Sequence, residues 1–483
     1  MRAPAYTGAV PARRSRLAAT EVAGELAAAL AALRTELEVP TAFPPEAVAE
    51  AKAAARVVTV AGLPDLRDIE FLTIDPEGST DLDQAVHLER TASGAVLHYA
   101  IADVPAFVAP GGALDAETRR RGQTLYAPDG RVPLHPEVLS EGAASLLPGL
   151  DRRAFVWRFV LDEGARPIET TLTRAVVRSR TQWSYPAAQR AIDDGTAPPT
   201  LAAMPWFGRE RAERERERGG ASLNVPEMVI VPDAGGYRLE RTEGVPLEDW
   251  NADVSLLTGM AAAEIMLRGG VGILRTMPPA PPADVERFRA QTVALGLPWR
   301  AEGAYGDYLR SLDRSPAAMA VREFAAGLFR GAAYAPFDGE PPAETVQSAI
   351  GAPYAHTTAP LRRLVDRWVL VICDALANGH AVPEWARSSL GDLPAIMGRT
   401  SQLASRLDAG ALDRVEAAVL STRAGEIFDG VVLAARGDGA LVQLVDPPVE
   451  AKVPGLDAAA GATVRLRLLG TDISAGSVLF AEA

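Results

Sequence analysis

The chain has 483 residues, 48% of them apolar, which is too long for one ordinary hydrophobic core and predicts two to four domains. A single cysteine excludes a disulfide framework and a cysteine-rich zinc site, and a net charge of −13 speaks against a uniformly basic nucleic-acid-binding surface. No uncharged apolar run is long enough to cross a membrane, and MRAPAYTGAVPARRSR lacks the apolar stretch of a secretion signal, so a cytoplasmic protein without membrane contact is expected.

In chain order, residues 15–36 carry apolar residues at helical spacing, and a second helical pattern follows Pro44 and Pro45. Together they predict an N-terminal helical unit over 1–65, possible in form as a helix-turn-helix. From about 66 to 184 the pattern changes to short β-rich runs punctuated by Gly and Pro, such as IEFLTID, AVLHYAIADV and AFVWRFVLD, which predict a mainly antiparallel sheet. Helical patterns follow at 206–218, 248–268, 282–295, 315–331, 360–378 and 395–421. The fold class is therefore α+β, with one large domain over 66–422 in which a mixed sheet is flanked by helices. Residues 423–483 alternate apolar and polar residues in short strands with Gly turns, the pattern and length of a single OB-type barrel. Within the helices, RERAERERERGG reads as a solvated face with local ion pairs, and Cys373 in RWVLVICDAL reads as a small core residue.

Three segments can carry chemistry. The first, TIDPEGSTDLDQA, sets Asp75, Asp81 and Asp83 in one turn where Pro76, Gly78 and Ser79 already supply the turn chemistry. Either this is an Asx-rich turn or the carboxylates surround a hard cation such as Mg²⁺; the spacing does not fit an EF-hand. In the second, PYAHTTAPLRRLVDR, Arg362 and Arg363 precede a helix, where the dipole favours anions; a bound phosphate would explain them, as would carboxylate partners. His356 alone reads more readily as a hydrogen-bonded structural histidine than as a base. Third, Tyr126, Trp183 and Tyr185 each lie near arginines, a pairing suited to stacked bases and a phosphate backbone, although Tyr and Trp are also common in cores.

With these segments in view, the sequence resembles the RNase II (RNB-domain) exoribonucleases: 71–86 is similar to the acidic signature, HYAIADV to the following strand, 119–148 to the TLYLPD-like segment, and 354–367 to the YAHxTSPIRRYxD motif. The resemblance covers roughly 66–420, and the tail is similar to the S-one-type OB-fold RNA-binding domain of that family. It implies Mg²⁺-dependent (Mn²⁺ as an alternative) processive hydrolysis of single-stranded RNA from its 3′ end to nucleoside 5′-monophosphates, without an obligate protein partner and as a monomer. By position, Asp75, Asp81 and Asp83 match three of four signature aspartates, Gln84 stands where the fourth is expected, and these four would ligate the metal. Asp83 is expected nearest the scissile phosphate, and Arg362 matches the arginine that contacts phosphate near the cleavage point. Tyr126 and Tyr185 match tyrosines at the terminal nucleotides, and Asp253, His356 and Arg363 fall at further RNA-contacting places. Ala359 and Leu364 replace the motif's usual Ser and Tyr. Because Gln84 brings no charge, the competing reading is a catalytically weakened RNA-binding scaffold of the same fold.

Overall fold

A computed structural model describes residues 21–221, 227–233, 236–242, 244–300, 303–313 and 315–483, so residues 15–20 of the first predicted helix lie outside the described residues. Helix α1 (Glu21–Glu36) and helix α2 (Pro45–Val57) come first. They do not share a core. The α1 stripe Leu26, Leu30, Leu33 buries against the last long helix and the C-terminal barrel, whereas Ala51 of α2 joins the cluster beneath the large sheet.

The large sheet is a closed barrel of β1 (Phe71–Asp75), β2 (Gln84–Thr91), β3 (Gly94–Ala102), β6 (Asp151–Leu161) and β7 (Pro167–Ser184). Between β3 and β6 lie helix α3 (Ala113–Arg121) and the small hairpin β4 (Leu125–Ala127) and β5 (Gly130–Val132). Neighbouring strands pair antiparallel except for the closing pair: β7 runs parallel to β1, matching Phe71 to Ser179 and Asp75 to Ser184. The strands are buried on both faces. Val86, Leu88, Tyr99, Phe155 and Trp157 pack into the main core, and the small residues Ala85, Ala100, Ala154 and Ala175 pack into a second one.

Helices α4 (Tyr185–Asp193) and α5 (Pro199–Arg218) follow, then the hairpin β8 (Glu227–Asp233) and β9 (Gly236–Thr242) and helix α6 (Pro246–Gly269). Strand β10 (Val271–Thr276) pairs antiparallel with β11 (Ala333–Asp338), enclosing α7 (Pro282–Ala294), α8 (Tyr305–Ser311) and α9 (Pro316–Ala326). Proline stands at the first turn of most of these helices, where its missing N–H costs nothing and its fixed φ suits the helix. Helices α5 and α6 touch closely at Gly208: a Cβ there would sit 1.8 Å from Trp250. The predicted solvated face of α5 is corrected at two positions, for Arg211 is only 3% exposed and Arg214 is also buried. Sign alternation reports local ion pairs, whereas the packing of α6 and the loop at Ala165 decides which arginines are covered, and Arg211 Nη1 donates to the Ala165 carbonyl.

After the short strands β12 (Val346–Gln347) and β13 (Ala352–Pro353) comes α10 (Leu364–Ala377), apolar on nearly every side and buried accordingly, with Cys373 fully covered. Helix α11 (Glu384–Ser388) leads to α12 (Leu393–Leu420). The C-terminal sheet, ordered β16 (Glu450–Pro454), β15 (Gly439–Leu444), β14 (Ile427–Arg436), β17 (Thr463–Asp472) and β18 (Ser477–Glu482), curls until its edges β16 and β18 meet. Its core is continuous with Leu407, Ala411 and Val415 of α12. No described helix is long and apolar enough to cross a membrane.

Candidate active site

The acidic bend joins β1 to β2. Gly78 takes φ +77°, a left-handed conformation that side-chain-bearing residues rarely adopt, and so turns the chain sharply after Pro76. The bend is then clamped by Ser145, whose Oγ accepts the Leu82 N–H at 2.9 Å and donates to the Thr80 carbonyl at 2.7 Å. Leu146 N–H donates to the Leu82 carbonyl on the other side. Asp83 is thereby aimed inward, 2% exposed, at the turn that precedes α10. Its Oδ1 accepts the Leu361 N–H at 2.7 Å and its Oδ2 accepts Arg362 Nε at 2.9 Å.

Arg362 is held by backbone as well as by charge. Its carbonyl accepts the Thr124 N–H, and Leu364 N–H donates to the Gly122 carbonyl, so 122–124 runs alongside 362–364 and sets the β4–β5 hairpin over the site. Among the described residues its two terminal nitrogens hold no bond, and the side chain keeps 16% exposure, which leaves them available to an incoming anion. Tyr126, on β4, lies in the field of Arg362, Asp81, Asp83 and Arg131; burial pushes its phenol up to about 12. Its buried hydroxyl has no hydrogen-bond partner among the described residues. An orphaned donor beside a guanidinium is a costly arrangement for a fold alone and suits an oxygen-rich ligand.

The carboxylates interact. Burial pushes Asp75 up to about 7, with Arg362 pulling it down and Asp83 and Asp81 adding repulsion. Asp83 is likewise raised by burial to about 7, against Arg362 and the Leu361 N–H. The Asp75 carboxylate makes no hydrogen bond or ion pair among the described residues, whereas Asp81 is ion-paired to Arg131. Tyr185 is buried, its hydroxyl accepting Asn251 Nδ2 at 2.9 Å, and it stands in the field of Asp75 and Arg362.

A protein-family comparison matches the RNB domain over residues 64–378 and the RNase II-type exonuclease C-terminal S1 domain over 426–483. The chain belongs to the RNB domain family. Among curated relatives it is 26% identical to Ribonuclease R of Escherichia coli over 446 residues, covering 86% of this chain and 54% of that protein. It is also 28% identical to the human exosome complex exonuclease RRP44 over 329 residues, 62% of this chain and 33% of the relative. The chain thus spans about a third to a half of these relatives. In fold it superposes on Mycoplasma genitalium RNase R in complex with ribose-methylated single-stranded RNA with a TM-score of 0.85 at 18% identity, covering 95% of this chain and 78% of that one. Yeast Ssd1, described as a pseudonuclease, shares the fold with a TM-score of 0.68 at 17% identity, over 82% of this chain and 51% of that one.

Not every predicted residue joins the centre of the RNB domain. Asp253 sits between α5 and α6, raised to about 7 by burial, with Arg211, Glu215, Asp249 and Arg218 as its charged neighbours instead of the β1–β2 aspartates. Residues of α6 that do reach toward the site are Asn251, two positions earlier, bonded to Tyr185, and Ser255, bonded to Tyr99. His356 Nδ1 contacts the Tyr334 hydroxyl at 2.7 Å, and burial holds it well below the usual histidine range. Arg363 pairs with Asp366 at 2.8 Å; a carboxylate of its own helix takes the place of the expected phosphate. Ser145, Arg131 and Glu141 fall within the 119–148 segment of the family resemblance, but sequence reading gave them no role at the acidic bend, because a contact with residues 80–82 carries no signal until the bend is folded against them.

The expected four-member metal set is likewise changed. Among the described residues no three His, Cys, Asp or Glu side chains are disposed to hold an ion together. Asp81 is turned to Arg131, and the Gln84 amide donates its N–H to the Thr358 carbonyl. What remains is a hard oxygen donor set centred on Asp75 and Asp83, which fits Mg²⁺, an ion that takes one or two carboxylates and completes its shell with water and substrate phosphate.

Proposed function

We propose that this RNB-domain chain is a Mg²⁺-dependent 3′-to-5′ exoribonuclease, with Mn²⁺ as an alternative ion, that hydrolyses single-stranded RNA processively to nucleoside 5′-monophosphates. The observation that carries the reading is the buried Asp83–Arg362 pair beside the orphaned Tyr126 hydroxyl. Asp83 fixes the guanidinium plane through Nε, and the terminal nitrogens of Arg362 face a phosphoryl group on which negative charge grows. Tyr126 donates to an oxygen of the last nucleotide. Water forms the new bond to phosphorus as the bond to the 3′-oxygen of the preceding ribose breaks, and a proton ends on that oxygen. Mg²⁺, held by Asp75 and Asp83 with Gln84 and Asp81 at its margin, would supply Lewis-acid polarisation and an activated water.

A second reading, an RNA-binding scaffold with weakened catalysis, draws on Gln84 and on Asp81 being engaged by Arg131. Incubating the chain with a labelled single-stranded oligoribonucleotide and Mg²⁺ separates the two. An enzyme releases mononucleotides from the 3′ end. A scaffold retards the oligonucleotide on a gel and leaves its length unchanged.

A further inference from the structure

Arg131 stands opposite Tyr126 in the β4–β5 hairpin and sends its guanidinium into the acidic bend. There it bonds Asp81 on one side and Glu141 on the other, while Nη2 donates to Thr80 Oγ1 at 3.3 Å. Glu141 is fixed in turn, its Oε2 accepting the Thr80 hydroxyl at 2.6 Å. The side chains of Arg131 and Asp81 are each 13% exposed, so this is an enclosed bridge and not a frayed surface pair.

Taken with the Asp83–Arg362 pair, the centre holds four carboxylates (Asp75, Asp81, Asp83, Glu141) and two guanidinium groups. Formally this leaves two negative charges, enough for a single divalent ion. The neighbouring Gln84 adds no charge and directs its N–H to a backbone carbonyl.

We propose that Arg131 is a resident cation of the acidic bend: by occupying Asp81 it restricts the centre to one divalent ion and lowers affinity for that ion, with Glu141 as the alternative partner to which the guanidinium can move. The inference rests on the metal-dependent reading above and deepens it. Arg131 is thus a positioning residue that acts through Asp81. Removing its charge frees a hard carboxylate next to Asp75 and Asp83. Removing Glu141 leaves the guanidinium with Asp81 as its one carboxylate partner among the described residues and also withdraws a negative charge. The two variants therefore move ion affinity in opposite directions, which a purely structural role for the bridge would not produce.

The test is a Mn²⁺ titration of the full chain without RNA, read by loss of the free-ion electron paramagnetic resonance signal, with circular dichroism confirming that each variant is folded. The parent should bind one Mn²⁺ per chain. Arg131→Gln should bind it at least tenfold more tightly or take up a second ion, and Glu141→Gln should bind it several-fold more weakly. If Arg131→Gln does not fold, Arg131→Lys, whose ammonium holds Asp81 at one point only, should show a smaller shift in the same direction. One ion in the parent with no change in either Arg131 variant overturns the role of Arg131 and leaves the exoribonuclease reading intact. Two ions in the parent also overturn it. No ion in the parent under conditions where it degrades RNA overturns the metal-dependent reading and this inference with it.

Discussion

Asp83 Oδ2 and Arg362 Nε lie 2.9 Å apart across 279 positions of sequence, one at the mouth of the β barrel and the other at the turn before α10. The contact lets one half of the domain hold the charged group of the other in a fixed plane. Arg362→Lys keeps the charge but replaces the planar fork with a point donor. We expect turnover of single-stranded RNA to fall about 10²–10³-fold, the size of effect seen when a preorganised donor is lost, with the unfolding midpoint nearly unchanged. Arg362→Ala should lose as much activity and, in addition, lower the unfolding midpoint, because Asp83 is left buried without its partner; stopped assays and thermal melts on both variants check this.

Asp115 and Arg367 form a second buried ion pair, joining α3 to α10. Arg367 Nε and Nη1 have no partner among the described residues, and the guanidinium stacks on Trp368 at 4.4 Å. Asp115→Asn removes the charge that compensates Arg367 and should cost roughly 3–5 kcal/mol, whereas a joint apolar replacement of both residues should recover most of that loss. Urea unfolding of the single and double variants measures the difference.

The C-terminal barrel contains two aromatic residues, Phe428 and Phe480, and both are buried in its core, ring to ring at 5.9 Å. Among its described residues it therefore presents no stacking platform of its own, and exposed basic groups, Arg465 and Arg467 of β17 together with Lys452 of β16, can meet a phosphate backbone. Replacing both arginines with Gln should weaken binding of long RNA several-fold and flatten its salt dependence by about one unit of log–log slope. Turnover of a short oligonucleotide should not change. Deleting the barrel would be a poorer test, because its core is shared with α12 and α1.

His135 is fully enclosed and its Nδ1 contacts the Leu361 carbonyl at 3.2 Å, next to Arg362. Burial lowers it from 6.5 to about 3. Since the folded state resists protonation and the unfolded state accepts it, this residue's contribution to stability is whole above pH 6.5 and shrinks as pH falls toward 3. At pH 5 the loss amounts to roughly 2 kcal/mol. His135→Gln should flatten the pH dependence of the melting temperature between pH 7 and 5; an unchanged slope would show that other groups govern acid unfolding.

The barrel at the C-terminus was legible in the sequence because alternation with Gly turns is a local signal; a surplus of carboxylates marked the acidic bend, but its meeting with Arg362, 279 positions away, was expected only from the family resemblance. Closure of the large sheet was not legible. The parallel pairing of β1 with β7 joins residues more than a hundred positions apart, and strand alternation carries no record of which edge meets which. The same limit explains Arg211 and Asp253. Sign alternation suggested solvent for Arg211 and the family resemblance suggested RNA for Asp253, but Gly208, where a Cβ would sit 1.8 Å from Trp250, lets α5 close onto α6 and encloses both. Helices α1 and α2 looked like a unit since they are adjacent in sequence, and only packing reveals that each serves a different core.

The most direct measurement compares the parent chain with Asp83→Asn on a 3′-tailed single-stranded RNA in Mg²⁺, identifying products by chromatography and binding by gel retardation. The parent is predicted to release nucleoside 5′-monophosphates stepwise from the 3′ end, and the variant to bind the RNA while losing at least a hundredfold in rate, as expected when the group orienting Arg362 is removed. Equal rates for the two, or intact RNA with both, would contradict the account.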